Sequence, residues 1–142
     1  MINVTKVQDI SVLHLYGEVT MLELELIQKM IESFKKCRYR KFLLDLAEVD
    51  HIHFEAIRKL VREAKVLRAM KGDLKIVYAN PQTLEVMKFT GADQCFEDFG
   101  NIAEAILSFL KNPDPSARHW EEPATVQASA DEKAYNPWAL PN

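Results

Sequence analysis

KFLLDLAEVDHIHFEAIRKLVREAKVLRAMKGDLKIVYANP, residues 41–81, decides the architecture. Its opening, KFLLDL (41–46), is a short and almost continuous apolar run, which predicts a strand buried on both faces. From about residue 54 the period changes. Ile57, Leu60, Val61, Ala64 and Leu67 recur at helical spacing, and the pattern stops at Gly72. LKIVYA (74–79) is a second buried run. Strand, helix and strand in this order make a βαβ crossover, so the two strands are expected to be parallel with a right-handed connection.

The same grammar extends in both directions. Towards the N-terminus, segments 2–8 and 11–17 read as two strands joined tightly at Gln8-Asp9-Ile10. Thr20 then opens a helix, with Glu23 completing a capping box and Val19 and Leu24 in hydrophobic-staple positions. Leu24, Ile27, Ile31 and Phe34 form its apolar stripe, and Lys35, Lys36 and Arg38 suit its negative end. Towards the C-terminus, Asn80-Pro81 is a cap followed by proline at the first helical position, and Gly91 closes that helix. A short strand near 95–97 and a last helix over 102–110, capped by Asn101 with Glu104 three residues on, complete the pattern. The order ββαβαβαβα predicts a single α/β domain: a mixed, mostly parallel sheet of about four or five strands packed with about four helices.

Length and charge set the limits. A chain of 142 residues holds one domain with a real core. Residues 1–111 form that domain and carry 16 basic and 16 acidic side chains, so the net charge of −3 lies wholly in 112–142. Five of the six prolines fall there too, and no apolar period survives, so 112–142 reads as an extended or disordered tail. Trp120, Tyr135 and Trp138 are candidate anchors within it. A neutral domain with an acidic tail argues against nucleic acid as partner. No run reaches the roughly 20 apolar residues of a membrane helix, and the N-terminus lacks the pattern of a secretory signal, so a cytoplasmic protein is expected.

The chemistry-bearing residues are few. Cys37 and Cys95 have no CxxC spacing and read as buried small hydrophobes. His51 and His53 flank Ile52 without a third ligand at a diagnostic spacing, so they read as loop histidines and no metal or other cofactor is expected. His14 reads as a structural residue in a strand. Arg58, Arg62, Lys65 and Arg68 form a basic stripe whose default reading is a solvated helix face, with docking of an acidic partner or of the chain's own tail as the sharper one. No glycine-rich phosphate loop, nucleophile elbow or paired acidic motif is present, and an enzyme is not expected.

LDLAEVDHIHFEAIRKLV (44–61) resembles the STAS family, which includes bacterial anti-sigma factor antagonists; Leu44, Asp45, Leu46, Val49, Ile52 and Leu60 fit its pattern. TLEVMKFTGADQCFEDFGNIAEAI (83–106), where a helix ends at Thr-Gly, and the turn YGEV (16–19) resemble two further family segments. The resemblance implies a regulator that binds another protein, such as an anti-sigma factor-like kinase. Its implied contact surface comprises Gly17, Glu18, Thr20 and Met21, the second-helix start at His53, Phe54, Glu55 and Arg58, and the edge at Asn80 and Pro81. In phosphorylated relatives an Asp-Ser-Ser-Gly sequence begins that helix and a kinase modifies one serine. Here the positions hold His53, Phe54, Glu55 and Ala56, none with a hydroxyl, so no phosphorylation is expected at this site.

Phe54 reads equally as an exposed anchor or as one more core residue. Glu55 reads as a first-turn glutamate pairing with Lys59, or as a permanent mimic of phosphoserine. A ligand- or lipid-sensing module and the scaffold subunit of a larger complex, in the form of a homodimer for example, remain as alternative functions.

Overall fold

The computed structural model describes residues 2–97 and 99–111, without the side chain of Lys111. The tail proposed from the sequence, with Trp120, Tyr135 and Trp138, lies outside them. Strands β1 (Ile2–Val7), β2 (Ile10–Val19), β3 (Lys41–Ile52) and β4 (Asp73–Val77) form one sheet in the order β1-β2-β3-β4. β1 and β2 are antiparallel, and β2, β3 and β4 are parallel. The helices are α1 (Met21–Lys36), α2 (Phe54–Ala69), α3 (Pro81–Thr90) and α4 (Ile102–Lys111), with a short 3₁₀ turn at Ala92–Gln94. None of the described helices is long and apolar enough to cross a membrane.

Local chemistry accounts for the joints. Gln8 takes a left-handed φ of 56° in the two-residue turn between β1 and β2, which twists the hairpin tightly. The capping box at Thr20 forms as its sequence requires, and its hydrogen bonds hold the Glu23 carboxyl below its ordinary range. Asn80 caps α3, and Gly91 ends it in the left-handed conformation that glycine adopts without penalty. Asn101 accepts the amide N–H of Glu104 at 2.9 Å at the start of α4.

Two elements differ from the sequence reading. The strand expected near 95–97 is reduced to one parallel bridge, Val77 with Phe99. Residues 92–95 instead continue the α3 turn, with Cys95 and Phe96 both donating to the Ala92 carbonyl. β3 runs six residues beyond the expected 41–46. Beyond Leu46 it buries Val49 and Ile52 while Ala47, Glu48, Asp50 and His51 face solvent, which hid it from a search for continuous apolar character.

The core is two-sided. The larger cluster joins Leu13, Leu15, Phe42, Leu44 and Leu74 of the sheet to Leu24, Ile27 and Ile31 of α1, Ile57, Leu60 and Val61 of α2, and Met87 of α3. On the other face α4 covers Ile10, Val12, Leu43 and Val77 with Ala105 and Phe109. Lys75 is 5% exposed beneath α4, where its Nζ donates to Ser108 Oγ at 2.7 Å and lies near the Phe109 ring. Beside α4, on the same face, Asn3 and Thr5 are exposed while His14 and Asp45 are half-buried. His14 Nδ1 lies 2.7 Å from Asp45 Oδ2 and its Nε2 3.0 Å from Thr5 Oγ1, tying three strands together and bearing out its structural reading.

Glu63 lies between α1 and α2, with one carboxylate oxygen buried and without a hydrogen-bond partner. Burial raises its pKa, against the opposing pull of Lys35 and Gln28. A raised carboxyl pKa favours the neutral form in the fold, so the stability it contributes is complete below the unfolded pKa of about 4.3 and fades as pH rises through the folded value. Glu63→Gln should therefore melt above wild type at neutral pH, with the difference vanishing on acidification below about pH 4. Thermal melts at the two pH values check it; a lower melting point for Glu63→Gln at neutral pH contradicts the burial argument.

Candidate functional site

Because β2, β3 and β4 are parallel, their C-terminal ends gather at one end of the domain. β4 ends opposite Asp45, so β2 and β3 continue past it as a two-stranded projection. Two register shifts, between His14 and Tyr16 and between Gly17 and Glu18, bend that projection. Gly17 has φ 77°, and a Cβ there would meet nothing within 4 Å; glycine is needed for the backbone conformation and not for space. Glu18 is exposed, Val19 is buried, and Val19 O accepts the His53 N–H at 3.0 Å. The β2–α1 joint and the start of α2 are thus one unit.

His53 is the N-cap of α2, its Nδ1 accepting the Glu55 N–H at 3.2 Å. Its ring stacks on Phe54 at 4.9 Å between centroids with 22° between planes. Phe54 is 43% exposed, which settles its orientation: it stands at the rim of the first turn while Ala56, Ile57 and Leu60 enter the core. Glu55 Oε2 lies 3.8 Å from Arg58 Nη1, so its pairing is with Arg58 and not, as expected, with Lys59. An ion pair with both side chains nearly half exposed contributes little to stability.

The remaining expected residues are less available. Thr20 is half-buried as a cap, and Met21 packs partly against the core. Asn80 is spent internally: its Oδ1 accepts the Thr83 N–H at 2.7 Å, and its Nδ2 donates to the Val49 and Asp50 carbonyls, both at 3.1 Å. It fastens α3 to the projecting part of β3. Pro81 is exposed beside it. One residue at this end escaped the sequence reading. Tyr78, taken as part of a strand, has φ 65° and is 40% exposed just past β4. Nothing in the sequence signals an aromatic in left-handed conformation.

Three further readings are corrected. Cys37 is exposed, because it is the C-cap of α1 and not a core position. Cys95 is half-buried against the core, and burial pushes its thiol above the ordinary value against the pull of Arg68. The stripe on α2 is not a uniform solvated face. Arg68 folds onto the sheet end, where its Nε donates to Asp73 Oδ1 at 2.6 Å and its Nη2 to the Cys95 carbonyl at 2.9 Å. His51 lies in β3 and not in a loop, exposed like His53. Among the described residues no group of three metal-ligating side chains occurs.

The family model for the STAS domain matches residues 1–105. Among solved structures, a STAS domain protein of Planctomyces limnophilus is 23% identical with a TM-score of 0.66, covering 77% of this chain and 97% of its own. An anti-sigma factor antagonist of Mycobacterium paratuberculosis is 19% identical, with a TM-score of 0.66 over 76% of this chain and 92% of its own. The anti-sigma factor antagonist SpoIIAA, unphosphorylated, is 18% identical, with a TM-score of 0.65 over 78% of this chain and 97% of its own. No curated protein matches the chain. The fold that these structures share, together with the family match over nearly all of the described residues, places the chain in a family: it belongs to the STAS domain family.

Proposed function

We propose that the chain is a regulatory protein-binding module of the anti-sigma factor antagonist kind, docking its partner through the rim around Phe54 and working without a serine phosphate. One observation carries the reading. The first turn of α2 presents an aromatic ring that is 43% exposed, at the position where phosphorylated relatives are expected to carry serine. The ring is held by its stack on His53, and the cap and the His53–Val19 hydrogen bond fix the turn beneath it. A pre-ordered aromatic at a rim forms a binding hot spot at low entropic cost. Glu55 and Arg58 share its helix turn, and Glu18, Tyr78 and Pro81 are exposed at the same end of the domain. With no hydroxyl at 53–56, control falls to partner concentration and assembly.

The test is a comparison of three proteins used as bait in extract of the source cell: wild type, Phe54→Ala and Phe89→Ala. Phe89 is 86% exposed near the far end of α3, and serves as a matched loss of an exposed aromatic. A specific partner held by wild type and Phe89→Ala but lost from Phe54→Ala supports the reading. Equal retention by all three contradicts it.

A further inference from the structure

At the opposite end of the domain, where β3 and β4 begin, α1 and α2 finish side by side in the same way. In α1 the Arg38 N–H donates to Lys35 O and the Tyr39 N–H to Phe34 O. In α2 the Lys71 N–H donates to Arg68 O and the Gly72 N–H to Leu67 O. These are paired Schellman-type ends, and the residue just past each cap is left-handed: Arg38 with φ 72°, Lys71 with φ 68°. Glycine is the natural occupant of that position, since any side chain there crowds its own backbone. Both helices carry an exposed basic residue instead.

The two ends form one rim. The Asp73 N–H donates to Arg40 O at 2.9 Å, and Arg40 Nη1 reaches Met70 O at 3.4 Å. The acidic side chains Asp9, Glu32 and Asp73 at this end are engaged by Lys41, Lys35 and Arg68. Lys36, Arg38, Arg40 and Lys71 are exposed there, so that basic side chains crowd this rim of a domain of balanced charge.

α4 delivers the rest of the chain to this end. It starts just after Phe99, which bridges Val77 at the top of β4, and by Ser108 it has descended to Lys75. Its last residue therefore points towards the strand beginnings. Residues 112–142 follow, holding the whole net charge of −3, with two acids directly after an aromatic in Trp120-Glu121-Glu122. Nine residues separate Lys111 from that triplet's middle, a reach of up to roughly 30 Å.

We propose that the tail docks back onto this rim of its own domain through Trp120-Glu121-Glu122, the two carboxylates meeting Lys36, Arg38 and Lys71 and the indole covering a guanidinium of Arg38 or Arg40. Carboxylate and ring against arginine are the chemistry such a surface recognises best. The surface is distinct from the Phe54 rim and its existence does not depend on the function proposed there.

The test uses the full chain, whose only tryptophans, Trp120 and Trp138, are both in the tail, so that tryptophan emission, excited selectively over the four tyrosines, reports on nothing else. At low salt the expected emission is blue-shifted, and acrylamide quenching is weaker than in the urea-unfolded chain. About 1 M sodium chloride, where the Debye length is about 3 Å, should shift emission towards that of tryptophan in water. The double variant Arg38→Gly, Lys71→Gly should give the same shift at low salt with a melting temperature equal to or above wild type, because glycine relieves both left-handed positions. Loss of docking then cannot be a loss of folding. Lys29→Glu, a charge change on the outer face of α1, should leave emission unchanged. Water-like emission in the wild type at low salt, an unmoved spectrum in the double variant, or an equal shift from Lys29→Glu overturns the proposal. Sedimentation showing a dimer that dissociates with the red shift overturns it in favour of a second copy as the occupant.

Discussion

Phe54→Ala is expected to weaken partner binding at least about tenfold, a loss of about 1.4 kcal/mol or more, while the melting temperature stays close to wild type. The two halves of that expectation have separate causes. Phe54 is 43% exposed and lies outside both core clusters, so truncating it opens no cavity in the fold. On docking, the ring would be desolvated against the partner, and its stack on His53 means little rotamer freedom is lost in the process. Titration calorimetry with the purified partner, beside a thermal melt of the free variant, reads both quantities. A stability loss of roughly 3–5 kcal/mol with intact binding would be the signature of a core phenylalanine and would contradict the surface assigned to it.

Gly72→Ala is expected to lower stability by about 3 kcal/mol, enough to bring the melting temperature down by more than about 10 °C. A Cβ at this position would run into the Arg40 carbonyl oxygen, Cβ and carbonyl carbon. Those atoms cannot rotate away. The Gly72 N–H is held by Leu67 O at 2.7 Å, the Asp73 N–H by Arg40 O at 2.9 Å, and the β3–β4 ladder begins at Lys41 and Asp73. Relief requires moving the strand start from the helix end, which also disturbs the buried Arg68–Asp73 contact. A differential scan measures the effect, and a shift of only a few degrees would mean that the two helix ends are not locked together. The same scan informs the basic rim, since Gly72 is the residue that lets the α1 and α2 ends approach.

Much of this was legible in the sequence, and the reason is local. The caps at Thr20, Asn80 and Asn101 and the stop at Gly91 each satisfy backbone groups within a few residues, so their signatures are short and readable. The helical stripe of α2 was equally clear. What failed depended on the third dimension. β3 beyond Leu46 is a strand because β2 pairs with it, and its own residues there are mostly polar. The fifth strand has only Phe99 against β4, because residues 92–95 form a turn that uses up the chain first. Arg68 looked like its neighbours on the stripe, and only the return of β4 brings Asp73 within its reach. The tie between Thr5, His14 and Asp45 joins positions far apart in sequence and leaves no pattern to search for.

The candidate site was partly legible for the same reason. Gly17 and the hydroxyl-free start of α2 were visible as residues, but their convergence follows from three parallel strands ending together. Asn80 was legible as the cap of α3, but its hydrogen bonds to Val49 and Asp50 were not, because they exist only where β3 outruns β4. Histidine is an uncommon N-cap, so the role of His53 beneath Phe54 had no sequence signal.

Hydrogen–deuterium exchange on the full chain, with and without the purified partner, tests the central claim most directly. Partner binding at the Phe54 rim should slow exchange in 17–21 and in the first turn of α2, 54–58, while 36–41 and the uncovered sheet face around His14 exchange as in the free protein. Slowing confined to that sheet face or to the basic rim, with 17–21 and 54–58 unchanged, would contradict it.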